Sequence, residues 1–196
     1  MSTPLSELGY TVFDTETTGF RIERDDRLIE IGAVHVKGFE VIEERQFQTY
    51  VNPNRQISRE ITELTSITND MVRDAPQALE AMQHFFDFVS ETNSACFVGH
   101  YVQFDMLVLK SELKRGKLAY RKYKALDTLD IIGFLAPAYE IRDLERYAMA
   151  FNTRIYPRHS AIGDALTTAY LFVELLLQLH DRGIRTLGEL SRIQGQ

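Results

Sequence analysis

The chain has 196 residues, 44% of them hydrophobic and 26% charged, and carries a net charge of -6. That length suits one core in a single domain over residues 1–196, and the acidity argues against a protein that coats nucleic acid through many Lys and Arg contacts. The single cysteine, Cys96, excludes an internal disulfide and a cysteine-based metal site. With no apolar leader and its most apolar stretch, Ala169 to Leu179, broken by Glu174, a soluble cytoplasmic protein without a membrane partner is expected.

Taken in chain order, Tyr10 to Phe13 predicts a first strand, followed by a polar stretch that contains Gly19. Leu28 to Val36 is apolar on both faces, as an inner strand is. Lys37-Gly38 is a hairpin turn signal into Val41 to Val51, where Phe47, Thr49 and Val51 alternate with polar residues and the many charges fit an edge strand. Ala78, Leu79, Met82, Phe85, Phe86 and Val89 recur at helical spacing, so Gln77 to Glu91 is expected as an amphipathic helix. Ala95 to Val98 reads as a buried strand, Phe104 to Leu113 as a helix and Leu126 to Leu129 as a last short strand. Two helices follow, near Arg142 to Ala150 and Ala161 to His180. This order predicts an α/β fold with a mixed five-stranded sheet flanked by helices, antiparallel at the start and parallel later. The last helix carries a second apolar stripe, Leu171, Leu175 and Leu179. Burial within the monomer is expected for it, with a homodimer contact as the alternative.

Asp14 and Glu16 lie two apart directly after the first apolar strand. On an extended backbone they point to the same side, and carboxylates so placed repel each other unless a cation intervenes. Hard divalent ions prefer such oxygen ligands. Solvated acids at a strand end would read the same way. Asp105 falls at the start of a helical pattern, where a carboxylate also suits the helix N-terminus without further purpose. His159-Ser-Ala-Ile-Gly-Asp164 leads into the last helix, with its Asp on the first turn and its His just before.

In this order and at these spacings, Asp14-x-Glu16, Phe104-Asp105 and His159-x-x-x-x-Asp164 resemble the three exonuclease motifs of the DEDD superfamily. The run Phe13-Asp-Thr-Glu-Thr-Thr-Gly19 looks like that of the proofreading subunit of bacterial DNA polymerase III and its stand-alone relatives. The resemblance extends from Phe13 to about Phe172. One branch of the superfamily has a histidine five residues before the last Asp and the other a tyrosine four before it; His159 and Ser160 put this chain with the histidine branch. The resemblance implies a ribonuclease H-like sheet and a 3′-to-5′ exonuclease, with Asp14, Glu16, Asp105 and Asp164 as metal ligands and His159 as general base. Two Mg²⁺ or Mn²⁺ ions, about 3.5–4 Å apart, would neutralise the acidic pocket and stabilise the attacking and leaving oxygens. Imidazole is well matched to taking a proton from the attacking water near neutral pH, and a nucleoside 5′-monophosphate would leave.

Substrate residues are read on the same basis. Ile61 to Thr68 is similar to the family segment whose apolar residues pack against terminal bases, which makes Leu64 and Ile67 candidates. Thr15 and Thr17 are candidates for contacts to the terminal nucleotide. Two positions depart from the family pattern: Tyr101 stands where Asn is usual, which bears on the support of Asp105, and Ser66 where Gly is common. The basic stretch Lys110 to Lys124, interleaved with Tyr120 and Tyr123, reads as a guide for a strand or as a solvated face. The expected partner is nucleic acid with a free 3′ end, DNA favoured over RNA by the threonine-rich first motif. RNA is the runner-up, and a non-catalytic nucleic-acid-binding module the rival from another class; a lost carboxylate or His159 would mark it, and none is lost. Little sequence follows Leu190, so no polymerase-tethering extension is expected and a stand-alone enzyme is favoured over one with a polymerase partner.

Overall fold

The computed structural model describes residues 2–194. Its strands are β1 (Gly9–Thr17), β2 (Leu28–Lys37), β3 (Glu40–Tyr50), β4 (Cys96–Gly99) and β5 (Ala125–Asp127), in the sheet order β3-β2-β1-β4-β5. β1 runs antiparallel to β2 and β2 to β3, whereas β4 is parallel to both β1 and β5. The mixed five-stranded α/β sheet read from the sequence is thus the observed one. β2 is buried from Leu28 to Val36, and β3, with its charges, forms the exposed edge.

The helices are α1 (Arg59–Thr65), α2 (Asn69–Arg73), α3 (Ala78–Glu91), α4 (Val102–Arg115), α5 (Thr128–Leu135), α6 (Leu144–Ala150), α7 (Ala161–Asp181) and α8 (Leu187–Ile193). Alternate residues of β1 feed opposite faces of the sheet. Tyr10 and Val12 pack with Phe172 and Leu175 of α7, while Phe13 packs with Phe85 of α3 and Met106 of α4. Four short helices, α1, α2, α5 and α8, carry too few residues for an apolar period to show in the sequence. Their N-caps are legible only in hindsight, as Ser58, Thr68, Asp127 and Thr186.

β1 runs on past its apolar residues to Thr17, so Asp14 and Glu16 lie within it and not after it, and two further boundaries differ from expectation for one reason. The Asp127 carboxylate accepts the N–H groups of Tyr101 at 3.2 Å and Val102 at 3.0 Å, so α4 begins ahead of its apolar pattern. The same side chain accepts from Leu129 N at 3.0 Å, which ends β5 at Asp127 and starts α5 where further strand was expected. α7 meets the length and apolarity of a membrane span, with 21 residues and a mean hydropathy of 1.4. The stripe of Leu171, Leu175 and Leu179 is buried in the monomer, however. The stripe held open for a homodimer is therefore core, and offers no dimer surface.

Candidate active site

Asp14 and Glu16 lie at the C-terminal end of β1, facing Gly32 and Glu30 on β2. A Cβ on Gly32 would stand 2.3 Å from the backbone of Ala161 and Ile162. Only glycine lets the start of α7 press on the sheet here. Glu30, buried on β2, reaches up and accepts the N–H of Ala161. The first turn of α7 therefore lands beside Asp14 with Asp164 turned toward it. One carboxylate oxygen each from Asp14, Glu16 and Asp164 lie within 4.8 Å of one another.

The loop before α7 folds back over that turn. A Cβ on Gly163 would sit 2.1 Å from the Pro157 carbonyl oxygen, so this position too admits only glycine. The chain reverses at His159, which has φ +59°. The His159 N–H donates to Asp164 Oδ2 at 3.3 Å, and the Arg158 guanidinium donates to Oδ1. The His159 side chain is left exposed at the edge of the acidic cluster.

Asp105 stands behind the three clustered carboxylates. In the first turn of α4 its Oδ1 accepts from Thr15 N at 3.0 Å and Thr15 Oγ1 at 2.5 Å. Thr15 lies between Asp14 and Glu16, so this pair of bonds ties the start of α4 to the β1 strand that bears them.

The electrostatics follow from crowding acids in a poorly solvated place. Burial, then the charges of Asp105, Glu16 and Asp164, push Asp14 well above the usual carboxylate range. Burial, with Asp164, Glu30 and Asp105 around it, pushes Glu16 up to about 8. Burial raises Asp105 to about 7 against the two Thr15 hydrogen bonds that hold it down. Burial likewise raises Asp164, although Arg158 opposes it. Acids that repel one another and offer converging oxygens form a donor set suited to a hard divalent cation.

The RNase T exonuclease family model matches residues 11–172, which hold all of these residues. The chain belongs to the exonuclease family. The DNA polymerase III PolC-type proteins of Bacillus subtilis (strain 168) and Staphylococcus aureus are similar to it. The first is 35% identical over 193 residues, 98% of this chain and 13% of its own length. The second is 31% identical over 188 residues, 96% of this chain and again 13% of its own. The chain thus spans 13% of the length of these curated relatives. Among solved structures, Exonuclease X in complex with 5′ overhanging duplex DNA gives a TM-score of 0.73 at 22% identity, covering 95% of this chain and 99% of that one. The nuclease domain of 3′hExo, a DEDDh family member bound to rAMP, gives 0.74 at 19%, covering 91% and 94%. These likenesses are of fold, the ribonuclease H-like fold of the DEDD exonucleases. The protein is by family an exonuclease, a hydrolase acting on ester bonds.

The remaining residues singled out in the sequence fare unevenly in this exonuclease. Leu64 is 50% exposed and free to meet a substrate, but Ile67 is 1% exposed and packs with Ile29, Ile57 and Val72. Ile67 is corrected to a residue that anchors the α1–α2 segment from inside. The hydroxyl proton of Thr15 is committed to Asp105, and that of Thr17 to the Gly19 carbonyl at 2.7 Å, so both threonines first serve to shape the end of β1. Tyr101 has φ +58°, a left-handed position that Asn tolerates more easily, which accounts for the usual Asn there. The support of Asp105 comes from Thr15 and not from position 101. Ser66 caps α1 at φ +63°, which accounts for the usual Gly. Tyr123 stacks on Phe86 at 5.3 Å and meets Phe97 at 5.2 Å, and Tyr120 leans on Tyr123. Tyr123 is therefore half-buried against the core and is not a free ring of the basic stretch.

Three features went unread in the sequence. Glu30 is a lone acid inside the doubly apolar β2 run, which is itself the signal. Arg158 directly precedes His159 and shares its motif. Phe20 follows the Gly19 turn, is 88% exposed, and sets its ring edge-on to Phe104 at 5.8 Å, one residue from Asp105.

Proposed function

We propose that this exonuclease removes nucleotides one at a time from the 3′ end of DNA, releasing nucleoside 5′-monophosphates. Asp14, Glu16, Asp105 and Asp164 would hold two divalent ions, Mg²⁺ or Mn²⁺, and His159 would act as general base. The observation that carries this reading is the convergence of three carboxylates within 4.8 Å, with Asp105 tied to the same strand and His159 on the adjoining turn. Bound divalent ions supply the positive charge that lets such a pocket admit a phosphodiester and that stabilises the attacking and leaving oxygens.

The chain's own residues do the rest. Asp164 accepts the His159 N–H and so couples a ligand to the base. The exposed imidazole can take the proton of an attacking water, which a buried one could not exchange with solvent. Arg158, on the Asp164 carboxylate, tempers the repulsion among the acids while no phosphate is present. Leu64 and Phe20 offer apolar surface to a terminal base, which is more readily unstacked when it is unpaired. DNA is favoured because the PolC-type relatives above 30% identity are DNA polymerases and because the first motif is rich in threonine. Proofreading beside a polymerase is the role that fits those relatives.

A 5′-labelled DNA oligomer with Mg²⁺ tests the reading. A descending ladder is expected, abolished by EDTA or by a blocked 3′ end. Release of the 5′ label as first product would overturn the polarity, and faster degradation of the matched RNA would overturn the preference for DNA.

A further inference from the structure

Along α4, Phe104, Leu107, Ser111 and Lys114 recur every three or four residues, with Lys110 beside them, and so share one face. The loop between β1 and β2 runs alongside that face. At one end Phe20 stands against Phe104. At the other, Arg115 donates to the Ile22 carbonyl, to those of Arg24 at 3.2 Å and Asp26 at 3.1 Å, and to Glu112 at 3.2 Å. Between the two lies a groove of about 360 Å³, lined by Arg24, Lys110 and Lys114 together with Leu107 and Glu23.

The charge in this groove is not spoken for. Arg115 is consumed by Glu112 and the loop carbonyls. Arg24, Lys110 and Lys114 are exposed, and none of them forms an ion pair among the described residues. Lys110 meets only the Tyr120 ring, 5.9 Å from its centre, so three cations without a carboxylate partner face the one acid Glu23 and, in a chain of net charge -6, mark a local site for an anion.

We infer that this groove holds the sugar-phosphate backbone of the substrate strand on the 5′ side of the terminal nucleotide, an inference that rests on the exonuclease reading above. The helix itself fixes the spacing. Lys110 and Lys114 follow Asp105 by five and nine residues, about 7.5 and 13.5 Å along the helix axis. At 3.6 residues per turn the two lysines also stand on the face of α4 turned away from Asp105, so the strand would cross the helix at Phe104 to pass from groove to pocket. One rigid helix then carries Asp105 at the reacting end and the phosphate-binding lysines farther along the strand. The Phe20–Phe104 pair lies where the strand passes from groove to pocket, and a base can stack there.

The test is the double variant K110A/K114A, whose exposed helical positions favour alanine and whose fold is checked by circular dichroism. Hydrolysis of a DNA octamer is compared with that of the p-nitrophenyl ester of thymidine 5′-monophosphate, which has no upstream phosphate. The ratio of the two kcat/KM values should fall about tenfold at low salt, with the loss in the octamer's KM. The slope of log kcat/KM for the octamer against log salt should become shallower by about 1.4, two contacts at about 0.7 each. An unchanged ratio and slope would overturn the groove. If the wild type hydrolyses neither substrate, the exonuclease reading falls, and fluorescence anisotropy of a labelled octamer decides the groove alone. Several-fold weaker binding by the double variant supports it, and equal binding overturns it.

Discussion

Glu112 and Asp26 are as inaccessible to solvent as Asp105 and Asp164, yet arginines, and not further acids, surround them. Glu112 Oε1 accepts from Arg27 Nε at 2.9 Å, Leu28 N at 3.2 Å and Arg115 Nη1 at 3.2 Å, and its Oε2 from Arg27 Nη2 at 2.9 Å. Asp26 accepts from the Thr18 hydroxyl at 2.8 Å, the Arg21 N–H at 2.9 Å and the Arg55 guanidinium at 3.1 Å. Burial alone would raise Asp26, but these donors hold it below its ordinary range. At the end of β1, in contrast, Asp14 and Glu16 are crowded by Asp105 and Asp164 and are raised, and Asp164 is raised in spite of Arg158. A buried acid surrounded by donors fastens structure, here the β1–β2 loop to α4. Acids left facing acids are short of positive charge, and that shortage is what a cation-dependent site requires.

The largest test of this contrast removes an acid from the repelling cluster. Asp14→Ala should reduce turnover to background, while the metal-free protein melts no lower than wild type because one like charge is gone. A fall of several degrees would move Asp14 among the structural acids. His159→Ala should lose about 10²–10⁴-fold in rate. Its Mn²⁺ affinity by calorimetry should stay within a few-fold of wild type, and a collapse in that affinity would make His159 a support for the ligands instead.

Glu112→Ala attacks the other side of the comparison. It strands Arg27 and Arg115 and should destabilise by about 3 kcal/mol, the scale for breaking a buried pair. Urea unfolding reads this directly, and a loss below about 1 kcal/mol would mean the network behaves like a surface ion pair.

Changing pH sharpens the contrast without mutation. Glu16 near 8 and Asp105 near 7 lie above their ordinary values of 4.5 and 3.8, so the folded state holds extra protons between those limits. The metal-free protein should thus be most stable at the acidic end of this window and lose stability as pH rises from about 5 to 8. Saturating Mn²⁺ should flatten that decline and release protons on binding. Asp26, being lowered, contributes stability throughout this range and loses it only in acid. Thermal melts at pH 5 to 8, with and without Mn²⁺, check the sign, and metal-free stability that rises with pH would refute it. The smallest expected effect is at Ser66. Ser66→Gly should relieve the left-handed cap of α1 and stabilise by about 0.5 kcal/mol in the same unfolding assay.

The sequence by itself determined what depends on short-range pattern. The doubly apolar run set β2 as an inner strand, the helical recurrence set α3 and α7, and the i, i+2 spacing aimed Asp14 and Glu16 to one side of β1. Motif order and spacing, through a family resemblance, then joined Asp105, His159 and Asp164 to them. What only the tertiary structure decided are contacts between residues far apart in the chain. Among these are the approach of α7 that Gly32 permits, the grip of Glu30 on Ala161, the bonds from Thr15 to Asp105 and the double capping by Asp127. Ile67 shows the limit most plainly, since an apolar residue beside a substrate segment reads the same whether it faces a base or the core. Which way it points is fixed by Ile29, Ile57 and Val72 packing around it, and local periodicity carries no record of neighbours that packing alone brings together.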